Sequence, residues 1–355
     1  MKAISSERAL RLARGLNRLV EPVLRRGDAT AAPWSRAQEI DNAGTAPLPA
    51  PRLPPGAQEV LRPNHPALAD YGRRYQGHPA AASSQWRSDY VRNTIDMHSF
   101  RANNSYVWQQ WDVADSFRYG LATYFTRLHD RLGLFERLPE DGLFGAETYD
   151  IDGTLVSRDL LDSIAELTFL DEELRISERN VTILDIGAGY GRLAHRATTA
   201  FADATYLCTD AVPLSTFLCS YYLDFRRVGD RATVIPLDRI ADAIGGTKVD
   251  LAVNIHSFAE CPLAAIKWWL ELLAANDVEH LMIVPNTTTR LLSKERDGPR
   301  IDFMPLVQAS GFELVRMRAK YAPSDFMQTH GLHGAFPTYY FLFRATARRR
   351  RPREG

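Results

Sequence analysis

A glycine-rich segment carries the clearest chemistry in this sequence. Residues 181–197 read VTILDIGAGYGRLAHRA: an apolar strand, a bend with Gly187, Gly189 and Gly191, and the start of a helix. Such a bend brings a ligand close to the main chain and points helix N-terminal amides toward it. Asp185 precedes the first glycine by two residues, and its carboxylate would repel a pyrophosphate but attract a cation. Because the spacing G-x-G-x-G also differs from the dinucleotide fingerprint G-x-G-x-x-G, the segment predicts a nucleotide-type ligand with positive charge near Asp185.

Two further carboxylates come at the ends of the next apolar segments. The second segment ends in YLCTD, which places Asp210 23 residues after Gly187. A carboxylate at this point can accept hydrogen bonds from both hydroxyls of a ribose. The third segment ends in VIPLD, so Leu237 and Asp238 are expected to flank an adenine ring and its exocyclic amine. For Asp238, capping of the helix that follows explains the residue equally well.

The elements that position these residues alternate between strands and helices after residue 180. The predicted strands are residues 181–186, 205–209, 233–237, 250–255 and 280–285, and the predicted helices are residues 192–201, 214–226, 240–244 and 263–274. Alternation of this kind indicates parallel strands joined by crossover helices, and therefore a doubly wound α/β sheet. Residues 312–319 and 338–345 follow each other through a loop, and we expect this last pair to be antiparallel.

The sequence divides into four regions by composition and pattern. Residues 4–26 have an arginine-rich amphipathic pattern, which indicates either a helix packed on the protein or a partner, or a basic helix on a membrane surface. The predicted regions are an N-terminal helix with a Pro/Ala-rich linker (1–58), a mainly helical accessory or lid region with a β-hairpin (59–175), a ligand-binding sheet domain (176–347) and a basic tail (348–355).

Residues 148–170 contain two local signals. Asp152-Gly153 separates two short β-like runs, which predicts a tight hairpin. Ser157 then precedes an apolar helical pattern and is expected to cap that helix.

The composition excludes several classes of protein. Lys plus Arg and Asp plus Glu are balanced at 43 each, which gives no electrostatic case for a nucleic-acid partner. The three cysteines, Cys208, Cys219 and Cys261, form neither a spaced metal motif nor a disulfide framework. The sequence also lacks an apolar run of membrane-spanning length and the core of a signal peptide, so a cytoplasmic protein is expected.

The motifs LDIGAGYGRL, CTD and IPLD, followed by an antiparallel last strand pair, resemble the S-adenosylmethionine-binding domain of class I methyltransferases over residues 181–346. The resemblance implies a Rossmann-like sheet with S-adenosylmethionine (SAM) as cofactor. It further implies that the glycines, with Ala188 and Tyr190 between them, line the methionine moiety, that Asp185 lies near its amino group and that Asp210 holds the ribose. The segments FGAETYDIDGTLVSRDLLDSIAELTFL and NIHSFAE are similar to bacterial sugar O-methyltransferases, although much of residues 1–80 lies outside this likeness.

The fourth strand, VDLAVNIHSFAE, ends where reacting groups lie in an open α/β sheet. Asn254 is expected to contact the cofactor there. His256 is the first candidate for the base that takes a proton from an attacking hydroxyl, because the ordinary pKa of histidine is about 6.5. Orientation of the loop or the cofactor is an equal alternative for His256. Glu260 is expected to polarise the imidazole or contact the substrate, or else to support the next helix.

Aromatic and amide side chains upstream of the sheet suit a carbohydrate acceptor, because sugar faces stack on aromatic rings and amides bond hydroxyls. Packing within helices explains the same pattern. A second candidate segment, MQTHGLHGAFPTYY, is expected to be a substrate-facing loop and not a metal site. A divalent metal held by Glu260 or Asp325 stays open. The candidate acceptor residues are Tyr106, Trp108, Gln109, His330 and His333, with Asn103, Asn104 and Gln110 beside them.

The sequence therefore predicts a SAM-dependent O-methyltransferase that acts on a hydroxyl of a sugar or glycosylated acceptor. One alternative is methyl transfer to oxygen, nitrogen or carbon of a non-sugar small molecule, and another is an inactive SAM-binding scaffold. The expected partner is a small-molecule or glycan acceptor, with no nucleic acid. Peripheral membrane association through the arginine-rich termini is a further possibility.

Overall fold

The computed structural model describes residues 50–102, 105–106, 115–286, 290–320 and 339–346. Contacts between residues divide the chain into two compact units, residues 1–50 and residues 51–355, and the fold described here belongs to the second. The predicted N-terminal helix, the basic tail and several candidate site residues lie outside the described residues. These candidates are Asn103, Asn104, Trp108, Gln109, Gln110, Asp325, His330 and His333.

Upstream of the sheet, the described chain forms helices and one hairpin. The elements are α1 (Ala57–Val60), α2 (Pro66–Arg74), α3 (Ser88–Thr94), α4 (Asp115–His129), α5 (Leu134–Arg137), β1 (Thr148–Ile151), β2 (Thr154–Ser157) and α6 (Arg158–Leu174). The predicted hairpin is confirmed: Asp152 and Gly153 form its two-residue turn with positive φ angles of 54° and 76°, as a type I′ turn requires. The predicted cap is also confirmed, because the Ser157 hydroxyl accepts a hydrogen bond from the Leu160 amide at 3.1 Å.

Seven strands then form one mixed sheet, with helices between them. The elements are β3 (Val181–Ile186), α7 (Arg192–Ala200), β4 (Ala204–Thr209), α8 (Pro213–Phe225), β5 (Ala232–Val234), α9 (Ile240–Gly245), β6 (Leu251–Ile255), α10 (Leu263–Ala275), β7 (His280–Val284), α11 (Met304–Ala309), β8 (Phe312–Ala319) and β9 (Tyr339–Ala345). The strand order is β5-β4-β3-β6-β7-β9-β8. Strands β3 to β7 are parallel, whereas β9 is antiparallel to both β7 and β8. The predicted α/β fold with an antiparallel last strand is therefore confirmed.

One strand ends earlier than its apolar pattern predicts. We expected a strand over residues 233–237, but β5 ends at Val234 and residues 237–239 form a single 3₁₀ turn. Pro236 explains the difference, because proline has no N–H to donate to a neighbouring strand. As a result, Leu237 and Asp238 lie beyond the sheet ladder.

The two faces of the sheet build two cores. Ile183, Leu251 and Val253 face a core shared with α6, α7, α8 and upstream residues such as Phe100. Their neighbours Leu184 and Ala252 face a second core with α9, α10 and α11. This alternation follows from the two-residue period of a strand. Within the described residues, no helix has the length and apolar character needed to cross a membrane.

A cluster of buried charges ties the upstream region to α7. Arg101 contacts Glu140 at 2.7 Å and Asp159 at 3.1 Å, and Arg196 of α7 contacts the same two carboxylates at 2.9 and 3.2 Å. All four side chains are at most 1% exposed. Burial by itself raises the pKa of Asp159, but Arg101 and Arg196 hold that pKa well below its usual range. We call these four residues the buried ion cluster.

Candidate functional site

A cavity opens at the carboxyl ends of β3, β4 and β6, where the strand order reverses. Its space, including the part open to solvent, is about 940 Å³. Ligands of open α/β sheets bind at this position. Three segments of the sheet domain line the cavity, within residues 185–193, 210–215 and 255–261. Trp269 of α10 and five upstream residues complete it, and we call these five the upstream wall: Ala80, Ser83, Trp86, Ser105 and Tyr106.

The glycine loop, residues 187–191, lies against the ends of β4 and β6. The amides of Gly187 and Ala188 both donate to the Thr209 carbonyl, at 2.9 and 3.1 Å. Gly187 has a φ of 78°, and a Cβ added there would lie 2.3 Å from the Ser257 hydroxyl oxygen. Gly191 has a φ of 85° at the start of α7. Only glycine fits at Gly187 without a clash, because the Ser257 side chain packs against it. The close approach of a ligand to this bend stays a prediction.

Asp185 lines the cavity from the end of β3 and is 4% exposed. The Tyr206 hydroxyl donates to its carboxylate at 3.1 Å. Burial raises the pKa of Asp185 to about 7, and the Tyr206 hydrogen bond and the charge of Arg192 oppose that rise. A buried carboxylate with one hydrogen bond from a neutral donor is well suited to attract a cation.

Asp210 lines the same cavity from the end of β4. Its two carboxylate oxygens accept hydrogen bonds from the amides of Gly189 and Val212, at 2.9 and 2.8 Å. Burial raises the pKa of Asp210 to about 7, and these amides oppose the rise. Each oxygen has a second lone pair, so the carboxylate can still accept hydroxyl groups of a ligand. Its expected role as ribose acceptor stays a prediction.

Asn254 holds the end of β6 against the glycine loop. Its side-chain amide donates to the Ile186 carbonyl at 2.8 Å and to the Ser257 hydroxyl at 2.7 Å, and its oxygen accepts from the Phe258 amide at 2.9 Å. Asn254 is fully buried and is not among the residues that line the cavity. Asn254 therefore supports the floor of the cavity and has no surface of its own in contact with the cavity.

His256 lines the cavity directly after β6, and its φ of 68° is unusual for a residue other than glycine. Its Nε2 atom is buried and has no hydrogen-bond partner among the described residues. Burial lowers the pKa of His256 to about 3, and the charge of Lys320 adds to the decrease. The imidazole is therefore neutral at pH 7.

Glu260 lines the cavity one turn further on. The Trp86 indole donates to its carboxylate at 2.6 Å and the Asn286 amide at 3.3 Å. Burial raises the pKa of Glu260 to about 7, and the two donors oppose that rise. No hydrogen bond joins Glu260 to His256 among the described residues, so the structure does not support polarisation of the imidazole by Glu260.

Tyr106 was expected to bind the acceptor, but it lies against the glycine loop. Its ring carbon Cδ1 is 3.1 Å from the position of a Cβ added to Gly189. Its hydroxyl is 3.1 Å from the Ser215 hydroxyl, with either group as the donor. Tyr190 also borders the cavity, yet it is 1% exposed and its hydroxyl donates to Asp159 at 2.8 Å. Tyr190 thus anchors the glycine loop to the buried ion cluster.

Leu237 and Asp238 do not line the cavity. Leu237 is fully buried in the second core, and Asp238 makes an ion pair with Arg74 of α2 at 2.9 Å. The alternative role of Asp238 as a helix cap is also not seen, because no side chain caps α9. Arg74 explains the position of Asp238 without any ligand.

Sequence reasoning missed most of the upstream wall. Trp86 follows a Ser-rich stretch 174 residues before Glu260, and only the folded chain brings the two together. In the sequence, nothing distinguishes Trp86 from the other tryptophans as a residue of the site. Arg192 and Ser215 were also missed as lining residues. Among the described residues, no group of three or more His, Cys, Asp or Glu side chains is arranged to hold a metal ion.

Comparison with known proteins finds likenesses among solved structures. The sequence matches no protein-family model, and no curated protein matches it either. Solved structures that it resembles include the magnesium protoporphyrin IX methyltransferase of Synechocystis PCC 6803 with bound SAM, at 13% identity over 67% of this chain and 100% of that one, with a TM-score of 0.36. A SAM-dependent methyltransferase from Aquifex aeolicus is 13% identical over 50% of this chain and 90% of that one, with a TM-score of 0.35. The [4+2]-cyclase SpnF is 13% identical over 65% and 94%, with a TM-score of 0.38.

These likenesses concern the fold alone. The Rossmann-like order of the sheet, with the antiparallel β9 next to β7, is a property of this chain's own strands. What this chain binds and does must be argued from its own cavity.

Proposed function

We propose that this protein is a SAM-dependent O-methyltransferase whose acceptor is a hydroxyl of a sugar or glycosylated molecule. The proposal rests on one observation. A glycine loop lies beside the buried carboxylates of Asp185 and Asp210, at the place where the strand order of the sheet reverses. At Gly187 this loop has no space for a larger residue. The sugar as acceptor class rests on the sequence likeness of residues 144–170 and 254–260 to sugar O-methyltransferases.

The residues present fit the cofactor. The glycine loop lines the cavity with its main chain, and the methionine part of the cofactor would lie against this loop. Asp185 would attract its amino group and sulfonium, and Asp210 would accept its ribose hydroxyls. When bound, SAM supplies an electrophilic methyl group, and its sulfur keeps the electron pair of the bond that breaks.

The chain's own residues would then position the acceptor and take its proton. His256 stays one candidate for the proton acceptor, because its Nε2 atom has no partner among the described residues, but a pKa lowered to about 3 makes it a weak base. Glu260 is the second, since its pKa of about 7 is close to the operating pH at which a base works best. As the acceptor oxygen bonds to the methyl carbon, its proton passes to one of these groups and then to solvent.

The upstream wall covers the cavity and limits the water that reaches it. Trp86 and Tyr106 contribute large apolar surfaces there, and exclusion of water favours a displacement that depends on positioning and desolvation.

The test uses purified protein, SAM with a deuterated methyl group, and extracts of cells that lack the protein. Mass spectrometry is expected to find one labelled methyl ether, which after acid hydrolysis resides on a monosaccharide. His256→Ala and Glu260→Gln are compared with the surface control Glu271→Gln. Loss of turnover at saturating SAM in one of the first two identifies the proton acceptor.

The same experiment separates the alternatives. A labelled product without sugar would replace the acceptor class by another small molecule. SAM binding without a labelled product in any extract would support the inactive scaffold. Absence of SAM binding would overturn the proposal.

A further inference from the structure

The cavity is rich in carboxylates. Asp185, Asp210 and Glu260 line it, and Arg192 is the one arginine or lysine among its described lining residues. Arg192 makes an ion pair with Glu166 at 2.8 Å, on a carboxylate that does not line the cavity. The positive charge of Arg192 is therefore compensated by Glu166, which lies outside the cavity lining. With its carboxylates ionised, the cavity has a negative potential toward a ligand.

Two aromatic rings face these carboxylates from the upstream wall. The ring centres of Trp86 and Tyr106 lie 5.4 Å apart with a tilt of 36°. The Tyr106 ring is in contact with the glycine loop at Gly189. The two rings thus border the space in which the methionine end of the cofactor is expected.

Hydrogen bonds hold both rings at their polar ends. The Trp86 indole N–H donates to Glu260 at 2.6 Å, and the Tyr106 hydroxyl pairs with Ser215 at 3.1 Å. Their polar groups are consequently satisfied by protein. Both residues line the cavity, and the face of an aromatic ring carries negative potential that attracts cations.

We infer that Trp86 and Tyr106 recognise the positive charge of the cofactor's sulfonium, so that the cavity binds SAM in preference to the neutral product S-adenosylhomocysteine (SAH). This inference rests on the proposed function. SAM and SAH differ by one methyl group and one unit of charge. Once the methyl group has left, the product loses the attraction to both rings, which favours its release.

The first test compares Tyr106→Leu with Tyr106→Phe by isothermal titration calorimetry. Phenylalanine keeps the π face and loses only the hydroxyl, whereas leucine removes the face. The ligands are SAM, an analogue with a protonated tertiary amine in place of the sulfonium, and SAH. Tyr106→Leu is expected to weaken both cationic ligands by about 2- to 30-fold and to change SAH by less than about 2-fold, while Tyr106→Phe keeps the wild-type ratio.

The second test keeps the size of the side chain. Mono-, di- and trifluorinated tryptophans at position 86 reduce the π potential stepwise and retain the indole N–H that bonds Glu260. Affinity for SAM and for the amine analogue is expected to fall with each fluorine, and affinity for SAH to stay constant. This series decides the question even if Tyr106→Leu does not fold, which circular dichroism reports.

Equal losses for SAM and SAH in the leucine variant, or affinity for SAM that is independent of fluorination, would overturn the inference while leaving the proposed cofactor intact. If the wild-type protein binds neither SAM nor SAH, the proposed function fails, and the inference fails with it.

Discussion

Asp159→Asn removes the acceptor at the centre of the buried ion cluster. In the wild-type protein the Asp159 carboxylate accepts hydrogen bonds from Arg101 at 3.1 Å, Arg196 at 3.2 Å and the Tyr190 hydroxyl at 2.8 Å. Asparagine has one carbonyl oxygen and no charge, so the two buried guanidinium groups would keep Glu140 as their shared carboxylate, with Asp141 as a further partner of Arg101 alone. Breaking a buried ion pair from one side costs about 3–5 kcal/mol.

This loss is a large part of the about 5–15 kcal/mol by which native proteins are stable. It corresponds to a fall in Tm of about 6–20 °C, at about 2–4 °C per kcal/mol. The assay is urea unfolding followed by tryptophan fluorescence at pH 7, with binding of SAH measured in parallel. Because Tyr190 loses its anchor, the affinity for SAH is expected to fall as well.

The pH dependence gives an internal check. The folded-state pKa of Asp159 is depressed, so its contribution to stability is present above its unfolded pKa of about 3.9 and is lost as the pH falls through the folded-state value. The gap between wild type and variant should thus be constant above about pH 5 and narrow below about pH 4.

The matched control is Glu271→Gln. Glu271 forms an exposed pair with Lys267 on α10, with side chains 61% and 59% exposed, and such pairs contribute about 0.3–0.5 kcal/mol. A loss for Asp159→Asn that is no larger than the control's would refute our account of the cluster.

Three further predictions concern the cavity. Gly187→Ala should abolish measurable SAH binding, because its Cβ would lie 2.3 Å from the Ser257 hydroxyl oxygen. Adding Ser257→Gly to this variant should restore only part of the binding, since the backbone stays strained at a φ of 78°. Full SAH binding by Gly187→Ala alone would contradict this prediction. SAM affinity should increase from about pH 6 to about pH 8. Burial raises the pKa of Asp185, Asp210 and Glu260 to about 7, and only their ionised forms attract the sulfonium. A SAM affinity that does not change with pH, or an SAH affinity that changes as steeply, would argue against this prediction. Trp86→Phe removes the indole donor that lowers the pKa of Glu260, so the midpoint of the pH dependence of SAM affinity should move to higher pH. The control Trp268→Phe lies outside the cavity and should leave this midpoint unchanged.

The sheet could be predicted from the sequence because local patterns determine it. The apolar run at Val181–Ile186 and the glycines after it define β3, the bend and α7 without any distant information. The same holds for the hairpin at Asp152-Gly153. The apolar pattern did not show that β5 ends at Val234. Pro236 has no backbone N–H to donate to a neighbouring strand, so the strand stops although the residues there are apolar.

The carboxylates of the cavity were predictable for a related reason. Asp185 lies near the end of β3, Asp210 follows β4 and Glu260 follows β6, and the carboxyl ends of parallel strands meet at one edge. The upstream wall was not predictable, because the contacts of Trp86 and Tyr106 join residues 174 and 109 positions apart in the chain. Nothing in a single sequence distinguishes an aromatic residue over a cavity from one within a helix-packing core.

The buried ion cluster also bears on how this protein can be recombined with others. A fragment that starts at residue 176 would retain Arg196 but lose Glu140 and Asp159, its two carboxylate partners. It would also leave Arg226 without Asp141. We therefore expect the sheet to resist excision, and a chimera that grafts a foreign accessory region onto it to fold only if the graft brings equivalent acids.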